Sequence, residues 1–107
     1  MTGRRVHERY HCDLTVTVLS DEREIPTRTD NISLGGMYLL TDEKVAYGSE
    51  VKLRFRLPSM KEDTICPAVV RWNKPEGIGV QFGSLRALDV WALNQYFKTL
   101  EKLPPAP

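Results

Sequence analysis

The sequence predicts a mainly β domain, a small antiparallel barrel or sandwich that is followed by one α-helix. Short runs of alternating apolar residues occupy positions 14 to 82 and are separated by turn residues, as in small all-β folds. Beyond Gly83-Ser84 the hydrophobic period changes from two to 3.6, which indicates a helix. The chain has 107 residues, 41% of them hydrophobic, so one core can form without disulfide or metal cross-links. We therefore expect a single domain.

The β region divides into short strands. The fourth, from Glu50 to Leu57, has the cleanest period of two, with apolar residues facing in and Lys52, Arg54 and Arg56 facing out. We interpret this basic row as the solvated face of a half-buried strand, with contact to a polyanion as the alternative. The last two strands are expected to form a hairpin that closes the sheet. The expected strands span residues 14–19, 25–32, 37–41, 50–57, 64–73 and 78–82.

The helix is expected from about residue 86 to about Lys102, and Pro104-Pro105 ends it. We interpret its apolar stripe as packing against the sheet, with contact to a partner protein as the alternative. The barrel and helix together would occupy residues 14–103, followed by a Pro-rich tail at 104–107. The apolar residues of the helix are Val90, Leu93, Phe97 and Leu100, with Trp91 beside the stripe.

Residues 1–13 are predicted to form a flexible basic arm, because the segment is charged and has few apolar residues to bury. It carries Arg4, Arg5 and Arg9 against two acids, Glu8 and Asp13. A guanidinium is always charged, can fork onto phosphate or a guanine edge, and can stack on a base. The cluster is therefore a candidate anion site, and a solvated basic tail is the alternative.

The stretch from Asn31 to Gly36 is predicted to be a corner between two strands. Asn31 and Ser33 are two residues apart, so on an extended chain their side chains share one face. Gly35 and Gly36 permit positive φ and close approach of another chain or a ligand. A hydrogen-bonding ligand site is one interpretation of this corner, and an ordinary bulge or hairpin turn is the other.

Trp72 lies in the fifth expected strand, next to a turn that runs from Lys74 to Gly77. An indole ring can stack on a flat ligand or cap a hydrophobic core. The sequence leaves both roles open, and Trp72 is included among the candidate binding residues.

The segment from His7 to His11 matches the HExxH pattern of zinc peptidases, in which a helix places two histidines on the metal. The context argues against this function. A strand pattern begins almost at once, at Leu14, and no further histidine remains for a third ligand. We therefore expect no metal site here.

The overall composition narrows the function classes. The net charge is only +1, which gives no support to a nonspecific nucleic-acid binder. Cys12 and Cys66 are lone residues that we interpret as reduced thiols, with pairing as the alternative. No apolar run approaches the roughly 20 residues of a membrane span, and no signal-peptide pattern opens the chain. We expect a cytoplasmic protein with no DNA or RNA partner and no membrane insertion.

Two motifs in this order, RRxxxR followed by [D/N]xSxxG, resemble those of the PilZ domain family, whose members are bacterial receptors for cyclic di-GMP. The first motif is Arg4, Arg5 and Arg9. The second is Asn31, Ser33 and Gly36. The resemblance covers essentially the whole chain, and it implies a small antiparallel barrel of about six strands with a C-terminal helix.

The resemblance also implies roles for these residues. Arg5 and Arg9 would grip guanine edges and phosphates from the arm, while Asn31 and Ser33 would bind the other guanine and nearby backbone. Gly36, beside Gly35, would leave room for the ligand. An arginine at the position of Arg4 is associated in the family with two mutually stacked ligand molecules, so we expect two molecules of cyclic di-GMP per chain.

Asn31 stands where an aspartate is commoner in the family. An amide is uncharged and offers one acceptor oxygen, so we expect a weaker grip on the guanine N–H donors than a carboxylate would give.

The leading hypothesis is a cyclic di-GMP receptor that signals to an unidentified downstream protein through its arm, in control of motility, pili, exopolysaccharide or virulence. No nucleophile, base and orienting group form a catalytic set, so we expect neither an enzyme nor a cofactor besides the ligand. The second hypothesis is a PilZ-fold interaction module with little nucleotide binding. A third is a small barrel that binds single-stranded nucleic acid through the basic row of the fourth strand.

Overall fold

The structure is a computed structural model that describes residues 7–104. Its six strands form a closed antiparallel barrel in the order β1-β2-β3-β6-β5-β4, and one helix follows. The predicted fold class, a small antiparallel barrel with a C-terminal helix, is therefore confirmed. The elements are β1 (Arg9–Ser20), β2 (Arg23–Ser33), β3 (Gly36–Leu40), β4 (Glu50–Phe55), β5 (Thr64–Lys74), β6 (Gly77–Phe82) and α1 (Ala87–Phe97).

The start of β1 lies inside the segment predicted to be an arm. Arg9 and His11 pair with β2 on one side. On the other side they bond to the extended C-terminal segment: the His11 N–H donates to the Glu101 carbonyl at 2.8 Å, and the Leu103 N–H donates to the Arg9 carbonyl at 2.8 Å. Residues 9–13 therefore belong to the barrel. Residues 1–6 of the predicted arm and residues 105–107 of the predicted tail lie outside the described residues.

The C-terminal helix is shorter than expected. It ends at Phe97, and the prediction that it continues to about Lys102 is wrong, because residues near Lys102 are extended and Lys102 pairs with Tyr10 of β1. The ring of Tyr10 stacks on Phe97, with centroids 4.5 Å apart and planes at 14°. The start of β1, the end of α1 and the C-terminal segment are thus held together.

The barrel interior is built from alternate strand residues. On β4 and just after it, Val51, Leu53, Phe55 and Leu57 are all buried, which confirms the period of two in the sequence. Each such side chain contributes about 1.5 to 3 kcal/mol of apolar burial. The helix covers the core with Ala92, Leu93, Tyr96 and Phe97. Of the predicted stripe, Leu93 and Phe97 are buried and Val90 and Leu100 are half-buried, so its packing against the barrel is confirmed in part.

The structure also bears on the cysteines and on membrane spans. Cys12 and Cys66 are free thiols. Burial raises the pKa of the Cys12 thiol to about 11 and that of the Cys66 thiol to about 12, so both are protonated at neutral pH. Within residues 7–104, no helix has the length and apolar character needed to cross a bilayer.

Candidate ligand-binding cavity

The turn between β2 and β3 is organised by Ser33. Its hydroxyl oxygen accepts hydrogen bonds from the backbone N–H groups of Gly35, at 3.0 Å, and of Gly36, at 3.2 Å. The side chain is 4% exposed. Ser33 therefore fixes the path of the chain at this corner, since a buried hydroxyl with two backbone donors is part of the turn itself.

The two glycines of this corner have different neighbours. A Cβ at Gly36 would collide with the carbonyl of Val80, on the adjacent strand β6. A Cβ at Gly35 would lie 2.8 Å from Cδ2 of the His7 ring. Gly36 thus permits the close pairing of β3 with β6, whereas Gly35 permits the chain before β1 to pass over the turn.

Three β-bulges lie in the strands around the corner, and each places one extra residue against its partner strand. In β2 the extra residue is Asp30, because Thr29 pairs with Leu39 and Asn31 pairs with Tyr38. A bulge interrupts strict alternation, and Asp30 and Asn31 consequently both line one cavity on the outside of the barrel. The register shifts fall between His11 and Leu14 in β1, between Thr29 and Asn31 in β2, and between Val70 and Trp72 in β5.

A row of paired residues crosses four neighbouring strands at this level. Asn31 pairs with Tyr38, Tyr38 pairs with Gly79, and Gly79 pairs with Trp72. Directly paired residues lie side by side on one face of a sheet. The row therefore brings an amide and two aromatic rings together on the outer surface, with a glycine between the rings.

The cavity over this row, called here the Asn31 cavity, has a volume of about 380 Å³. Its walls carry cations, carboxylates and aromatic rings, and Met37, which is 1% exposed, forms part of its floor. Such a mixture suits a ligand that has flat rings, hydrogen-bond donors and negative charge. The lining residues are Arg9, Asp30, Asn31, Met37, Tyr38, Trp72, Lys74, Glu76 and Gly79.

Trp72 lies at the surface and not in the core. It is 54% exposed, and a Cβ at Gly79 would lie 2.6 Å from its Cε3 atom, so the indole rests on β6 where that strand has no side chain. Of the two roles left open by the sequence, this position favours stacking on a flat ligand.

Tyr38 forms the other aromatic wall. Its hydroxyl is buried and has no hydrogen-bond partner among the described residues, and the ring has room because a Cβ at Gly77 would lie 3.0 Å from that hydroxyl. Burial, and then the carboxylates of Glu76 and Asp30, raise the pKa of Tyr38. The ammonium of Lys74 lies 6.0 Å from the ring centroid, which places a cation on this side of the cavity.

A chain of hydrogen bonds connects three lining side chains. Nη1 of Arg9 donates to Oδ1 of Asn31 at 2.7 Å, and Nδ2 of Asn31 donates to Oδ1 of Asp30 at 2.9 Å. Both polar groups of the amide are therefore engaged. The guanidinium and the carboxylate are held at opposite ends of one planar amide.

The structure brings together only part of the predicted site. Arg9, Asn31 and Trp72 line the Asn31 cavity. The other candidates in the described residues form the adjacent turn, and they are Ser33, Gly35 and Gly36. Arg4 and Arg5 lie outside the described residues.

Four charged or aromatic lining residues were missed in the sequence. The residue pair Asp30 and Asn31 looked like ordinary alternation, and no sequence signal marked the bulge. In the sequence, Tyr38 belongs to the apolar run from Met37 to Leu40, which carries no sign of a ligand site. Lys74 and Glu76 are typical turn residues, although their place beside Trp72 in a hairpin is a signal that could include them.

The HExxH pattern does not lie on a helix. Its second half, from Arg9 to His11, forms the start of β1, where the i, i+4 spacing of the two histidines does not place them on one helical face. Among the side chains of residues 7–104, no three potential ligands are grouped closely enough to hold a metal ion.

Comparison with known proteins finds a matching family model and similar solved structures. The family model for the PilZ domain matches residues 3–98. The structure of the Bacillus subtilis inhibitor of motility (MotI/DgrA) superposes with a TM-score of 0.72 and 30% sequence identity, over 90% of this chain and 50% of that one, so the present chain spans about half the length of MotI/DgrA.

A second solved structure supports the fold alone. The PilZ domain of CeSA from a cellulose-synthesizing bacterium superposes with a TM-score of 0.66 and 16% identity, over 85% of this chain and 95% of that one. A search of curated proteins gave no match. The family model covers nearly the whole chain, and the closed barrel with its terminal helix agrees with both solved structures, which confirms the resemblance seen in the two motifs: the chain belongs to the PilZ domain family.

Proposed function

We propose that the protein is a cyclic di-GMP receptor that passes its signal to a partner protein. The observation that carries this proposal is the 2.7 Å hydrogen bond between Arg9 of the first motif and Asn31 of the second, within a cavity that also contains the exposed ring of Trp72. Two motifs separated in the chain meet at one place, and that place has the dimensions of a small-molecule site.

The chemistry of the cavity suits this ligand. Cyclic di-GMP has two phosphates and two guanines, so it needs cations, acceptors for the guanine N–H groups, and flat surfaces for its rings. Arg9 and Lys74 supply positive charge, Asp30 and Glu76 supply carboxylate acceptors, and Trp72 supplies an exposed aromatic face. Arg4 and Arg5 would complete the cationic side, with Arg4 favouring a stacked pair of ligand molecules.

Isothermal titration with cyclic di-GMP tests the receptor role. We expect saturable binding that is lost in the double variant Arg5→Ala/Arg9→Ala, because guanidinium groups recognise both phosphate and the guanine edge. Arg56→Ala is the matched control: this arginine is paired with Asp63 at 3.0 Å outside the cavity and should leave binding unchanged. A stoichiometry near two ligands per chain supports the stacked pair, and a stoichiometry near one removes it.

The result that would overturn the receptor role is the absence of heat and of any signal by a second method with the folded wild-type protein. In that case the alternative, an interaction module without nucleotide binding, takes its place. The outer face of α1 favours that candidate, since Leu88 is 50% and Trp91 is 52% exposed.

The proposed signal is the ordering of the segment before β1 over the ligand. Arg9 and Tyr10 are already paired within the barrel, so the change would concern residues up to Glu8. We expect saturating cyclic di-GMP to slow amide exchange in this segment, while exchange in β4, outside the cavity, stays constant. Unchanged exchange before β1 at saturation would rule out this signal and leave ligand binding itself in place.

A further inference from the structure

Each polar atom of the Asn31 amide already makes one hydrogen bond in this structure. Its oxygen accepts from Arg9 and its nitrogen donates to Asp30. A guanine presents the N1–H and N2–H donors on its Watson–Crick edge, which require acceptor oxygens. While the Arg9–Asn31 contact persists, the Asn31 oxygen has one lone pair left for these two donors, so a second acceptor in the cavity is needed.

Asp30 has the properties of that acceptor. The bulge in β2 turns it to the cavity side, its side chain is exposed, and no ion pair joins it to a cation within residues 7–104. Only Oδ1 is engaged, by Asn31, so Oδ2 retains its acceptor capacity. Charged acceptors also form stronger hydrogen bonds than neutral ones.

Glu76 is the other carboxylate of the cavity, and it is less suited to this role. Its backbone carbonyl bonds to Thr41, but no hydrogen bond holds its side chain among the described residues. Asp30 is held in place by the amide of Asn31, so it loses less freedom when a ligand binds.

We propose that Asp30 supplies a charged guanine acceptor in this cavity, and that Asn31 also acts as a positioning residue, because its amide links the Arg9 guanidinium to the Asp30 carboxylate. This rests on the proposed cyclic di-GMP binding. It assigns an acceptor role to the residue before the motif position. It also accounts for an amide at position 31: an aspartate there could not donate to Asp30 and would place two carboxylates together.

The test compares cyclic di-GMP with its inosine analogue, which lacks the N2 amino group. Wild type should prefer the guanine ligand by about tenfold or more, because one hydrogen bond to a charged acceptor is lost with inosine. Asp30→Asn should weaken binding of cyclic di-GMP and reduce this preference to near one. Glu76→Gln tests the rival carboxylate of the cavity and should retain the preference, while Asp63→Asn, whose carboxylate pairs with Arg56 outside the cavity, is the control and should leave affinity and preference unchanged.

Asn31→Asp tests the positioning role. We expect it to weaken guanine binding and lower the preference over inosine, although it adds an acceptor, because it repels Asp30. Thermal unfolding of each variant verifies that the barrel is intact. A gain in affinity with Asn31→Asp would overturn the assignment of Asn31.

The outcomes separate the two proposals. If wild type binds neither ligand, the receptor role fails and Asp30 has no ligand to recognise. If wild type binds cyclic di-GMP but shows no preference over inosine, or if Asp30→Asn keeps the preference, the receptor role stands and the inference about Asp30 is wrong. Loss of the preference in Glu76→Gln alone would assign guanine recognition to Glu76.

Discussion

Ser33 shows how a motif residue can influence a binding site without lining it. Its buried hydroxyl accepts hydrogen bonds from two backbone N–H groups in the turn that follows β2. Ser33 is not among the residues that line the Asn31 cavity. The strand that carries Asp30 and Asn31 ends at this turn. At the scale of single residues, Ser33 and Gly36 therefore fix the backbone at the end of the strand that carries the cavity residues Asp30 and Asn31.

Substitutions at this turn should lower the free energy of unfolding by different amounts, according to the contacts that they disturb. Ser33→Ala removes hydrogen bonds from the buried N–H of Gly36 and the partly buried N–H of Gly35, and should cost about 1 to 3 kcal/mol in the free energy of unfolding. Gly36→Ala should cost more, because the new Cβ meets the backbone of Val80, which cannot move without disrupting β3–β6 pairing. Urea unfolding of both variants measures these costs.

Gly35→Ala is the control for that pair of variants. Its Cβ would meet only the ring of His7, an exposed side chain that can move aside. We expect a small effect on stability. A larger loss with Gly35→Ala than with Gly36→Ala would contradict the view that Gly36 is required by the neighbouring strand.

At the scale of elements, the start of α1 depends on one buried acid. Asp89 is 2% exposed, and its carboxylate accepts the backbone N–H of Arg86 at 3.3 Å and the guanidinium of the same residue at 3.0 and 2.9 Å. Arg86 holds the pKa of Asp89 below its usual value of 3.8 against the opposing effect of burial. The carboxylate thus satisfies an N–H group that the helix leaves unpaired.

The lowered pKa of Asp89 gives a pH dependence. The unfolded chain binds a proton at this site near pH 3.8, whereas the folded chain does so only at lower pH, so the stabilisation is present above that value and is lost as the pH falls through the folded-state pKa. Asp89→Asn should lower the free energy of unfolding by about 1 kcal/mol at neutral pH. The difference from wild type should shrink below pH 4, as followed by thermal unfolding.

Asp63→Asn is a suitable control for this experiment. That carboxylate pairs with Arg56 on the surface, where an ion pair contributes little, and it does not cap the helix. A constant difference between wild type and Asp89→Asn across the acid range would show that the charge of Asp89 has no part in the stability of α1.

Most of the elements follow from local patterns, whereas their ends depend on distant partners. The alternation of Val51, Leu53 and Phe55 is sufficient to predict β4. The start of β1 could not be predicted in the same way, because Arg9 to His11 look like a charged tail and become a strand through pairing with residues near Lys102. The same long-range pairing explains why the helix stops at Phe97.

Only the motif residues of the candidate site could be predicted from the sequence. Arg9 and Asn31 were found because they match the motifs, and they do meet. Asp30 was missed because strict alternation would turn it away from the side of Asn31, and a bulge is decided by strand pairing that the local sequence does not reveal.

At the scale of the whole molecule, the charges of residues 7–104 are arranged as local pairs and not as a continuous basic surface. The row on β4 that could have contacted a polyanion is partly neutralised: Arg54 pairs with Glu24 at 3.2 Å, and Arg56 pairs with Asp63 at 3.0 Å. With a net charge of only +1, the protein lacks the basic excess typical of nonspecific nucleic-acid binders. The charge distribution favours recognition of a small ligand in the Asn31 cavity.

The shortest ladder of the closed barrel lies at the joint of β1 and β4. These strands meet through three residue pairs, Thr17 with Arg54, Val18 with Leu53 and Leu19 with Lys52, whereas every other neighbouring pair of strands has a longer ladder. An opening at this joint would unroll the barrel into a curved sheet with β3 and β6 at its centre. The walls of the Asn31 cavity on β2, β3, β6 and β5 would remain side by side, so the barrel can open at this joint while its binding surface stays intact.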